Sequence, residues 1–429
     1  MFGSMPEFRA WFTERQQAHS YRVTPVPLDS LDGWETDSAE GLIRHRTGRF
    51  FTVEGLEVST GHGEGGSWAQ PIINQPESGI LGILVKRIEG VPHYLLQAKM
   101  EPGNVNTLQL SPTVQATHSN YTRVHRGTAV PYLEHFLAPR RGRVVFDALQ
   151  SEQGAWFLQK RNRNMIVEVD EEIPVLDRFC WLTLEQIGEL LRHDNLVNMD
   201  TRTVLAGLPL PARPAEPAAH TTAEVLSWFT EAKAGRRLER SRVRLDSMKD
   251  WALEDGRITH ASGRYFSVIG VDVEAGDREV ARWSQPMIAP AGRGLIAFLT
   301  RTIQGVQHLL VQACTEAGTR DVVEVGPTVR CNPGNFDQEP SASRPRFLDH
   351  VLSAPPSRIR LDVVHSEEGG RFYRAENRYV VVEADDDLPD EAPDGFLWVT
   401  VGQLSELVLH GNVVTVEARN LLASLRLIP

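Results

Sequence analysis

Apolar and polar residues follow the same order twice along the chain. Two β-type runs flank Glu89-Gly90 in the first half, and two more flank Gln304-Gly305 in the second half. An x-Gly pair between two apolar runs predicts a β-hairpin. The hairpin runs are 84–88, 91–97, 299–303 and 306–312, and further β-type runs at 50–58, 109–116, 144–149 and 165–169 have counterparts in the second half.

Helix starts are repeated as well. Thr183 and Thr400 are each followed three residues later by glutamine, and Thr221 is followed three residues later by glutamate. This spacing is typical of a capping box, in which two side chains satisfy the backbone amides that a helix start leaves unpaired. Each half is therefore predicted to be an α+β domain with mostly antiparallel strands and helices at its ends.

The repetition also includes polar residues. Trp68-Ala69-Gln70-Pro71 recurs as Trp283-Ser284-Gln285-Pro286, which is 215 residues further on, and the similarity relates residues 41–205 to residues 256–422 almost without gaps. A repeat of this length predicts the tandem duplication of one domain.

The boundary between the two domains is predicted from a proline-rich segment, 208–217, which suits an extended linker. We place a first domain with an N-terminal helix at 1–213 and a second at 214–429, related by a pseudo-twofold axis. These ranges are called the first half and the second half below.

Composition limits the function classes. The formal net charge is −11 and the sequence pI is near 5.7, which argues against nonspecific binding to nucleic acid or anionic membranes. The three cysteines form no Cys-x-x-Cys motif, the N-terminal segment does not have the pattern of a signal peptide, and no apolar run is long enough to span a membrane. We therefore expect a cytoplasmic protein that binds neither nucleic acid nor membrane.

Motifs for common cofactors have little support. The run from Gly61 to Gly66 fits G-x-G-x-x-G, but no helix pattern follows it, so we interpret it as a loop. The chain has no P-loop, no His-Glu-x-x-His and no Gly-x-Ser-x-Gly. Paired histidines such as His93 and His308 lie in or beside β-runs, where structural hydrogen bonds are the expected role, and no metal ligand is predicted.

Three short motifs occur in both halves and suggest one kind of ligand site. They are an aromatic-x-Gln-Pro run, a Pro-Thr-Val run and a Ser-Glu-x-Gly run. A pocket for a nucleotide sugar needs an aromatic face for the base, amides and hydroxyls for the sugar, and cations for the diphosphate, which Arg163 and Arg378 would supply. The alternative is that the tryptophans are core residues and the Pro-Thr-Val runs are strands.

Longer strings resemble one enzyme family. Gln109-Leu110-Ser111-Pro112-Thr113-Val114-Gln115-Ala116-Thr117, the run 119–125, Gln150-Ser151-Glu152-Gln153-Gly154 and the run 366–373 are similar to the NDP-hexose 2,3-dehydratase family. The resemblance covers essentially the whole chain, including the duplication. It implies a duplicated Nudix-like fold, a homodimer, a dTDP-4-keto-6-deoxy-D-glucose substrate and a 3-ketoreductase that takes the product.

The reaction implied by this resemblance is a β-elimination. The C4 ketone makes the C3 proton acidic, a base removes it, donors stabilise the enolate, and an acid helps the C2 hydroxyl leave. The product is a dTDP-3,4-diketo-2,6-dideoxyhexose used in deoxysugar biosynthesis. Because the reaction has no net redox change, no nicotinamide is expected, and neither is a metal.

Two other functions stay open. The acidic helix motif with which Nudix hydrolases bind magnesium is absent from both halves, which disfavours a divergent diphosphate hydrolase. A catalytically silent protein that binds nucleotide sugars is the other alternative, because a shared fold does not fix the chemistry.

The catalytic candidates are Glu152 and Glu367 as bases, Lys99 as an acid or enolate stabiliser, and Tyr121. The alternative for each glutamate is a buried structural residue that is hydrogen-bonded to a turn. Lys99 corresponds to Cys314, Tyr121 to Phe336 and Gln150 to His365, so the halves differ where chemistry is expected. We hypothesise that both halves hold nucleotide sugar and only one catalyses. The predicted substrate-binding residues are Trp68, Gln70, Thr113, Asn120, Gln150, Ser151, Gln153, Gly154, Trp283, Gln285, Thr328, Asn335, Phe336, Ser366, Glu368, Gly369, Arg371, Asn377 and Arg378.

Overall fold

The computed structural model describes residues 2–18, 20–61, 66–117, 130–139, 142–209, 217–276, 280–385, 388 and 391–428. The elements of the first half are α1 (Met5–Gln17), β1 (Tyr21–Val26), β2 (Trp34–Asp37), β3 (Leu42–His45), β4 (Thr52–Thr60), β5 (Ser67–Asn74), β6 (Ile80–Ile88), β7 (Val91–Met100), β8 (Leu108–Pro112), β9 (Val114–Ala116), β10 (Arg143–Ser151), β11 (Arg161–Glu168), β12 (Phe179–Thr183), α2 (Leu184–Leu190) and α3 (Met199–Ala206).

The second half repeats this order. Its elements are α4 (Thr222–Gly235), β13 (Leu238–Val243), β14 (Trp251–Glu254), β15 (Arg257–His260), β16 (Phe266–Ala275), β17 (Arg282–Pro290), β18 (Gly294–Ile303), β19 (Val306–Cys314), β20 (Glu324–Gly326), β21 (Val329–Cys331), α5 (Leu348–Leu352), β22 (Ile359–Ser366), β23 (Glu376–Glu383), β24 (Phe396–Thr400), α6 (Val401–Val408) and α7 (Val416–Leu427).

The predicted hairpins and helix caps are present. β6 pairs with β7, and β18 with β19, across turns whose central residues have positive φ: 51° and 82° at Glu89 and Gly90, 51° and 81° at Gln304 and Gly305. A two-residue hairpin turn requires this backbone, which glycine adopts readily. Thr183 and Thr400 form the expected capping boxes at the starts of α2 and α6.

Each half contains a seven-stranded mixed sheet. The order is β10-β11-β6-β7-β12 in the first half, with β8 on β7 and β9 on β6, and β22-β23-β18-β19-β24 in the second, with β20 on β19 and β21 on β18. Only β6 with β11 and β18 with β23 run parallel among the named strand pairs. The α+β prediction is confirmed to that extent.

Two smaller five-stranded sheets exchange strands between the halves. β1 of the first half pairs with β16 of the second, from Tyr21 opposite Ala275 to Val26 opposite Gly270. β13 of the second half pairs with β4 of the first, from Leu238 opposite Thr60 to Val243 opposite Gly55. Each half therefore completes a sheet of the other.

The hydrophobic core also crosses between the halves. One buried cluster joins Trp34 and Phe51 of the first half to Trp251 and Phe266 of the second. The indole of Trp34 donates to the Ser284 carbonyl at 2.8 Å, and the indole of Trp251 donates to the Ala69 carbonyl at 2.7 Å. These reciprocal contacts fix the positions of the two small sheets relative to each other.

Three other predictions concern the glycine-rich run, membrane-spanning segments and the domain boundary. The Gly61–Gly66 run connects antiparallel strands β4 and β5, and its residues 62–65 lie outside the described residues. None of the described helices is both long and apolar enough to cross a membrane. The predicted domain boundary at residue 213 falls in 210–216, also outside the described residues, and stays a prediction.

Candidate active site

A cavity of about 520 Å³ lies where the two halves meet. This volume is within the range of small-molecule sites, and its walls combine aromatic rings with a few polar groups, as ligand pockets generally do. The first half supplies Trp68, Ala69, Gln70, Gln153, Ala155 and Trp156. The second half supplies Trp251, His260, Tyr265, Phe266, Pro290, Gly292, Gly294, Ile296, Glu316, Arg330, Cys331, Asn332, Asn335, Glu367, Glu376, Asn377 and Glu417.

Glu367 is a buried carboxyl in this cavity, directly after β22. Its Oε1 accepts hydrogen bonds from Asn377 at 2.7 Å and from the Tyr379 hydroxyl at 2.6 Å. Its Oε2 accepts from Gln153 of the first half at 2.7 Å. Burial raises the pKa of Glu367, whereas nearby Arg202 and the hydrogen bonds from Tyr379 and Gln153 act against that rise. The site thus holds this carboxyl in one orientation with three donors.

A second cluster of acidic residues in the cavity surrounds Arg330. Arg330 forms an ion pair with Glu316 and lies 3.5 Å from Glu417. Burial raises the pKa of Glu316 to about 7, with Arg330 opposing the shift and Glu417 adding to it. A carboxyl that titrates near neutral pH can either give or take a proton during a reaction.

The first half has an equivalent cluster with different chemistry. Glu152 accepts from Asn162 at 2.7 Å, as Glu367 does from Asn377. Glu368, not an amide, is the group near it from the other half. Burial raises the pKa of both Glu152 and Glu368 to about 7, and the pKa of Asp200 rises well above its usual range for the same reason. Several carboxyls therefore compete for protons in this half.

Lys99 belongs to the first-half cluster. Its Nζ donates to the Gln115 carbonyl at 3.3 Å and lies 3.8 Å from the Glu101 carboxylate. The equivalent residue is the buried Cys314, whose thiol pKa is raised to about 11 by burial. Lys99 therefore lies in the first-half cluster, apart from the residues that line the cavity.

Two buried arginines tie each Ser-Glu run to a helix of the other half. Arg202 in α3 donates to the Ser366 carbonyl at 2.6 Å, and Arg419 in α7 donates to the Ser151 carbonyl at 2.6 Å. Neither arginine is among the predicted site residues, although an acidic residue followed two positions later by arginine recurs at 200–202 and 417–419. The predicted residues also do not include Glu316, Arg330 and Glu417, which only the fold brings together.

The two Trp-x-Gln motifs brace loops. The indole of Trp68 donates to Gln70 at 2.8 Å, and Gln70 donates to the Ala155 carbonyl at 2.6 Å. In the second half, the indole of Trp283 donates to Gln285 at 2.9 Å, and Gln285 donates to the Gly370 carbonyl at 2.6 Å. Trp68 and Gln70 line the cavity, so ligand contact by them is compatible with this bracing role.

Several other predicted residues make contacts within the protein. Thr113 and Thr328 are buried and join neighbouring strands through their hydroxyls, in agreement with the alternative strand interpretation. Arg163 and Arg378 each make paired hydrogen bonds to an aspartate, Asp147 and Asp362 respectively. Substrate binding by these four residues stays a prediction.

The remaining predicted residues fall into three groups. Asn335 and Asn377 line the cavity, and Phe336 packs against the second-half core. Gln150, Ser151, Gly154, Ser366, Gly369 and Arg371 lie in or beside the crossing loops. Asn120 and Tyr121 lie outside the described residues.

Tyr265 is a cavity residue with an unusual backbone. Its φ is +70°, a left-handed conformation that side chains other than glycine's adopt at a cost. The Tyr265 amide donates to the Asn335 side chain at 3.3 Å, and Arg264 donates to the Asn335 carbonyl at 3.0 Å. These contacts hold the aromatic ring at the cavity.

Comparison with known proteins gives a consistent result. A family model described as NDP-hexose 2,3-dehydratase matches residues 5–208 and again 222–425. A Streptomyces violaceoruber protein named dTDP-4-dehydro-6-deoxy-alpha-D-glucopyranose 2,3-dehydratase is 57% identical over 98% of this chain and 97% of its own. Proteins of the same name from Saccharopolyspora spinosa and Amycolatopsis orientalis are 51% and 48% identical, over 98% and 97% of this chain and 90% and 89% of theirs.

Proposed function

The chain belongs to the NDP-hexose 2,3-dehydratase family, and we propose that it removes water across C2 and C3 of dTDP-4-dehydro-6-deoxy-glucose, the 4-keto sugar named above. The observation that carries this function is 57% identity over nearly the full length of both chains. The two matches of the family model also agree with the predicted duplication.

The reaction needs a base, a stabiliser of the enolate and an acid. Removal of the C3 proton places negative charge on the C4 oxygen, and loss of the C2 hydroxyl with one proton releases water. The resulting enol tautomerises to the 3,4-diketo-2,6-dideoxy sugar. All electrons stay within the substrate, so the proposed step consumes neither nicotinamide nor another oxidant.

We assign this chemistry to the cavity of the second half. Glu367 acts as the base, because three donors favour its ionised form. Glu316 protonates the leaving hydroxyl, since its pKa of about 7 keeps a protonated fraction at neutral pH. Arg330 supplies positive charge for the enolate oxygen. The first half binds nucleotide sugar without catalysing the reaction, because a second carboxyl, Glu368, lies near its equivalent glutamate and the residue equivalent to Arg330 is Gln115.

Several family properties belong to the same proposal. A duplicated Nudix-like fold, a homodimer, a cytoplasmic location and a 3-ketoreductase that takes the product are supported by the sequence resemblance. The unstable 3,4-diketo product makes rapid reduction by a second enzyme chemically reasonable. None of these properties is needed for the assignment of the reaction.

The first experiment is incubation with dTDP-4-keto-6-deoxyglucose in EDTA without nicotinamide, followed by mass spectrometry. A parallel reaction contains a 3-ketoreductase and its nicotinamide to trap the product. We expect loss of one water and a trapped 2,6-dideoxy-4-keto sugar. Unchanged substrate with measurable binding would favour the silent binding protein, and release of nucleotide monophosphate only with divalent metal would favour the hydrolase.

The assignment to one half is tested with Glu367→Gln and the matched variant Glu152→Gln. We expect Glu367→Gln to lower kcat by at least about a hundredfold, as loss of a general base does, and Glu152→Gln to have a much smaller effect. Nucleotide-sugar binding, measured by calorimetry, checks that both variants remain folded. Comparable losses in both would instead indicate two working sites or one shared site.

A further inference from the structure

The two Ser-Glu-x-Gly loops each reach into the other half. The Gly154 carbonyl accepts a hydrogen bond from the Gly318 amide at 2.6 Å, and the Gly369 carbonyl accepts from the Gly103 amide at 2.7 Å. A Cβ on Gly103 would lie 1.7 Å from the Phe372 carbonyl oxygen, and a Cβ on Gly318 would lie 1.7 Å from the Phe157 carbonyl oxygen, so glycine is required at both points of approach. The first-half loop therefore brings Gln153 to the neighbouring half, whereas the Glu368 carboxylate accepts from the Gly370 and Arg371 amides of its own loop at 3.0 and 2.7 Å.

The x residue is the point at which the loops differ. In the first-half loop it is Gln153, which is 3% exposed and donates its amide to Glu367 at 2.7 Å. In the second-half loop it is Glu368, which brings another carboxyl near Glu152. The same backbone exchange thus gives one glutamate a neutral donor and gives the other an acidic neighbour.

We propose that Gln153 is a positioning residue for the dehydration: its amide, delivered from the first half, orients Glu367 and stabilises its carboxylate form as the base of the second-half site. This inference rests on the proposed function. It assigns the cross-half part of the difference between the two sites to a single residue, while Tyr379 adds a donor from within the second half. The physical basis is that a hydrogen-bond donor favours a carboxylate, whereas a second carboxyl disfavours it.

Other groups around Glu367 have counterparts around Glu152. Asn377 corresponds to Asn162, Arg202 to Arg419 and Glu417 to Asp200. Each of these pairs conserves the type of group, so none explains a difference in ionisation.

Four positions do differ. Tyr379 corresponds to the buried Asn164, and Ala375 corresponds to Lys160, a lysine whose pKa is lowered to about 8, chiefly by burial. Lys160 favours the ionised form of Glu152, so it does not account for a poorer base there. His365 corresponds to Gln150, and burial holds the pKa of His365 far below its usual range. This histidine is therefore neutral, and Arg202 is the cation near Glu367. The fourth position is Gln153 against Glu368, where the residue comes from the other half.

Gln153 also retains an unused acceptor. Its Oε1 is buried and has no hydrogen-bond partner among the described residues, although Gln153 lines the cavity. A buried amide oxygen without a partner is costly. A hydroxyl of the bound sugar would satisfy it, which would couple the position of the substrate to that of the base.

The test is the pH profile of kcat/KM for Gln153→Glu and Gln153→Met. Both variants remove the donor, and the first also adds a carboxyl. We expect the acid limb, which reports the pKa of the base, to move to higher pH by about one unit or more in Gln153→Glu and by less in Gln153→Met. A rate loss that is the same at every pH, with an unmoved acid limb, would show a merely structural role and overturn the proposal.

The matched control is Glu368→Gln, the equivalent substitution in the other loop. We expect its acid limb to coincide with that of the unchanged protein, whatever its effect on rate, because Glu368 lies near Glu152 and not in the cavity. An acid limb that moves with Glu368→Gln and stays fixed with Gln153→Glu would assign the working base to the first half and contradict the proposal.

A second readout does not depend on catalysis. Urea unfolding of Gln153→Glu, Glu367→Gln and the double variant is measured between pH 5 and pH 8. We expect Gln153→Glu to lose stability as the pH rises, and to lose much less when Glu367 is already glutamine, because the two carboxyls then no longer repel. Equal losses in both backgrounds would show that Gln153 and Glu367 are not coupled. If the unchanged protein does not dehydrate the sugar, the proposed function is wrong, whereas the unfolding experiment still tests the coupling between Gln153 and Glu367.

Discussion

Glu316 and Glu101 occupy equivalent positions but have different neighbours. Glu316 forms an ion pair with Arg330 in the cavity, whereas Glu101 accepts a hydrogen bond from Gln115 at 2.6 Å. If Glu316 is the acid, its proton must be present when the hydroxyl leaves. The pKa of about 7 then sets the basic limb of the activity profile, and activity falls as the pH rises through that value.

Glu316→Gln tests this role. We expect kcat to fall by about 10² to 10⁴, and the basic limb near pH 7 to disappear from any residual activity. For the matched variant Glu101→Gln, the factor by which kcat falls is expected to be at least about ten times smaller than for Glu316→Gln. Steady-state kinetics from pH 5 to pH 9 provide the measurement, and equal losses in both variants would contradict the assignment.

Only some residues of the candidate site could be predicted from the sequence. Glu152 and Glu367 could be predicted because Ser-Glu recurs at the repeat spacing. Glu316 and Arg330 could not, since the contact between them depends on the pairing of β19 with its neighbours and on the loop that follows. It could not be predicted either that Glu367 accepts from an amide of the other half while a carboxyl of the other half lies near Glu152, because both arrangements require two loops to cross between the halves.

Helices and hairpins were predictable because their signals are local. The Thr183 side chain accepts from the Gln186 amide at 3.2 Å, and the Thr400 side chain accepts from the Gln403 amide at 3.1 Å. Both contacts lie within four residues of sequence, so the pattern alone indicates them. By contrast, β1 pairs with β16 across about 250 residues, and no local pattern specifies that partner.

Thr183→Ala and Thr400→Ala should destabilise the protein by similar amounts. Each substitution leaves one helix-start amide without its side-chain acceptor, which costs about 1 kcal/mol. Thr222→Ala, at an exposed threonine inside the first turn of α4 rather than at its cap, serves as the control and should change stability by less than about 0.5 kcal/mol. Chemical unfolding gives the three values, and a control as costly as the cap variants would refute the explanation.

The two halves form one interlocked molecule. The halves share exchanged strands, reciprocal tryptophan contacts and a joint core. Separating them would therefore expose strand edges and apolar surface. We expect a protease site placed at residue 213 to give two fragments that stay together in gel filtration and retain activity. The fragment 1–213 produced alone should fail to fold cooperatively. Fragments that separate after cleavage would show that each half is independent.

Buried carboxyls should make the stability of the whole molecule depend on pH. The pKa of Glu152 is raised from 4.5 to about 7, so the folded state holds a proton that the unfolded state has released between these values. The contribution of Glu152 is therefore complete below about pH 4.5 and is lost as the pH rises through about 7.

Glu152→Gln checks this expectation. Relative to the unchanged protein, its free energy of unfolding should increase between pH 5 and pH 8, measured in urea. Asp37→Asn is the control: its pKa is lowered, mainly by hydrogen bonds from the Glu40 and Ala39 amides, so its contribution is lost only at acid pH. A stability difference for Glu152→Gln that stays constant over this range would contradict the raised pKa.

The exchange of β1 and β13 carries a historical consequence. A single-repeat ancestor with this fold would have left one sheet of each polypeptide to be finished by another, so it would have existed as a strand-swapped dimer of identical chains. In that ancestor every inherited change altered both sites at once. A single chain that carries both repeats is free of this constraint, because its two loops can hold different residues, as they do at Gln153 and Glu368.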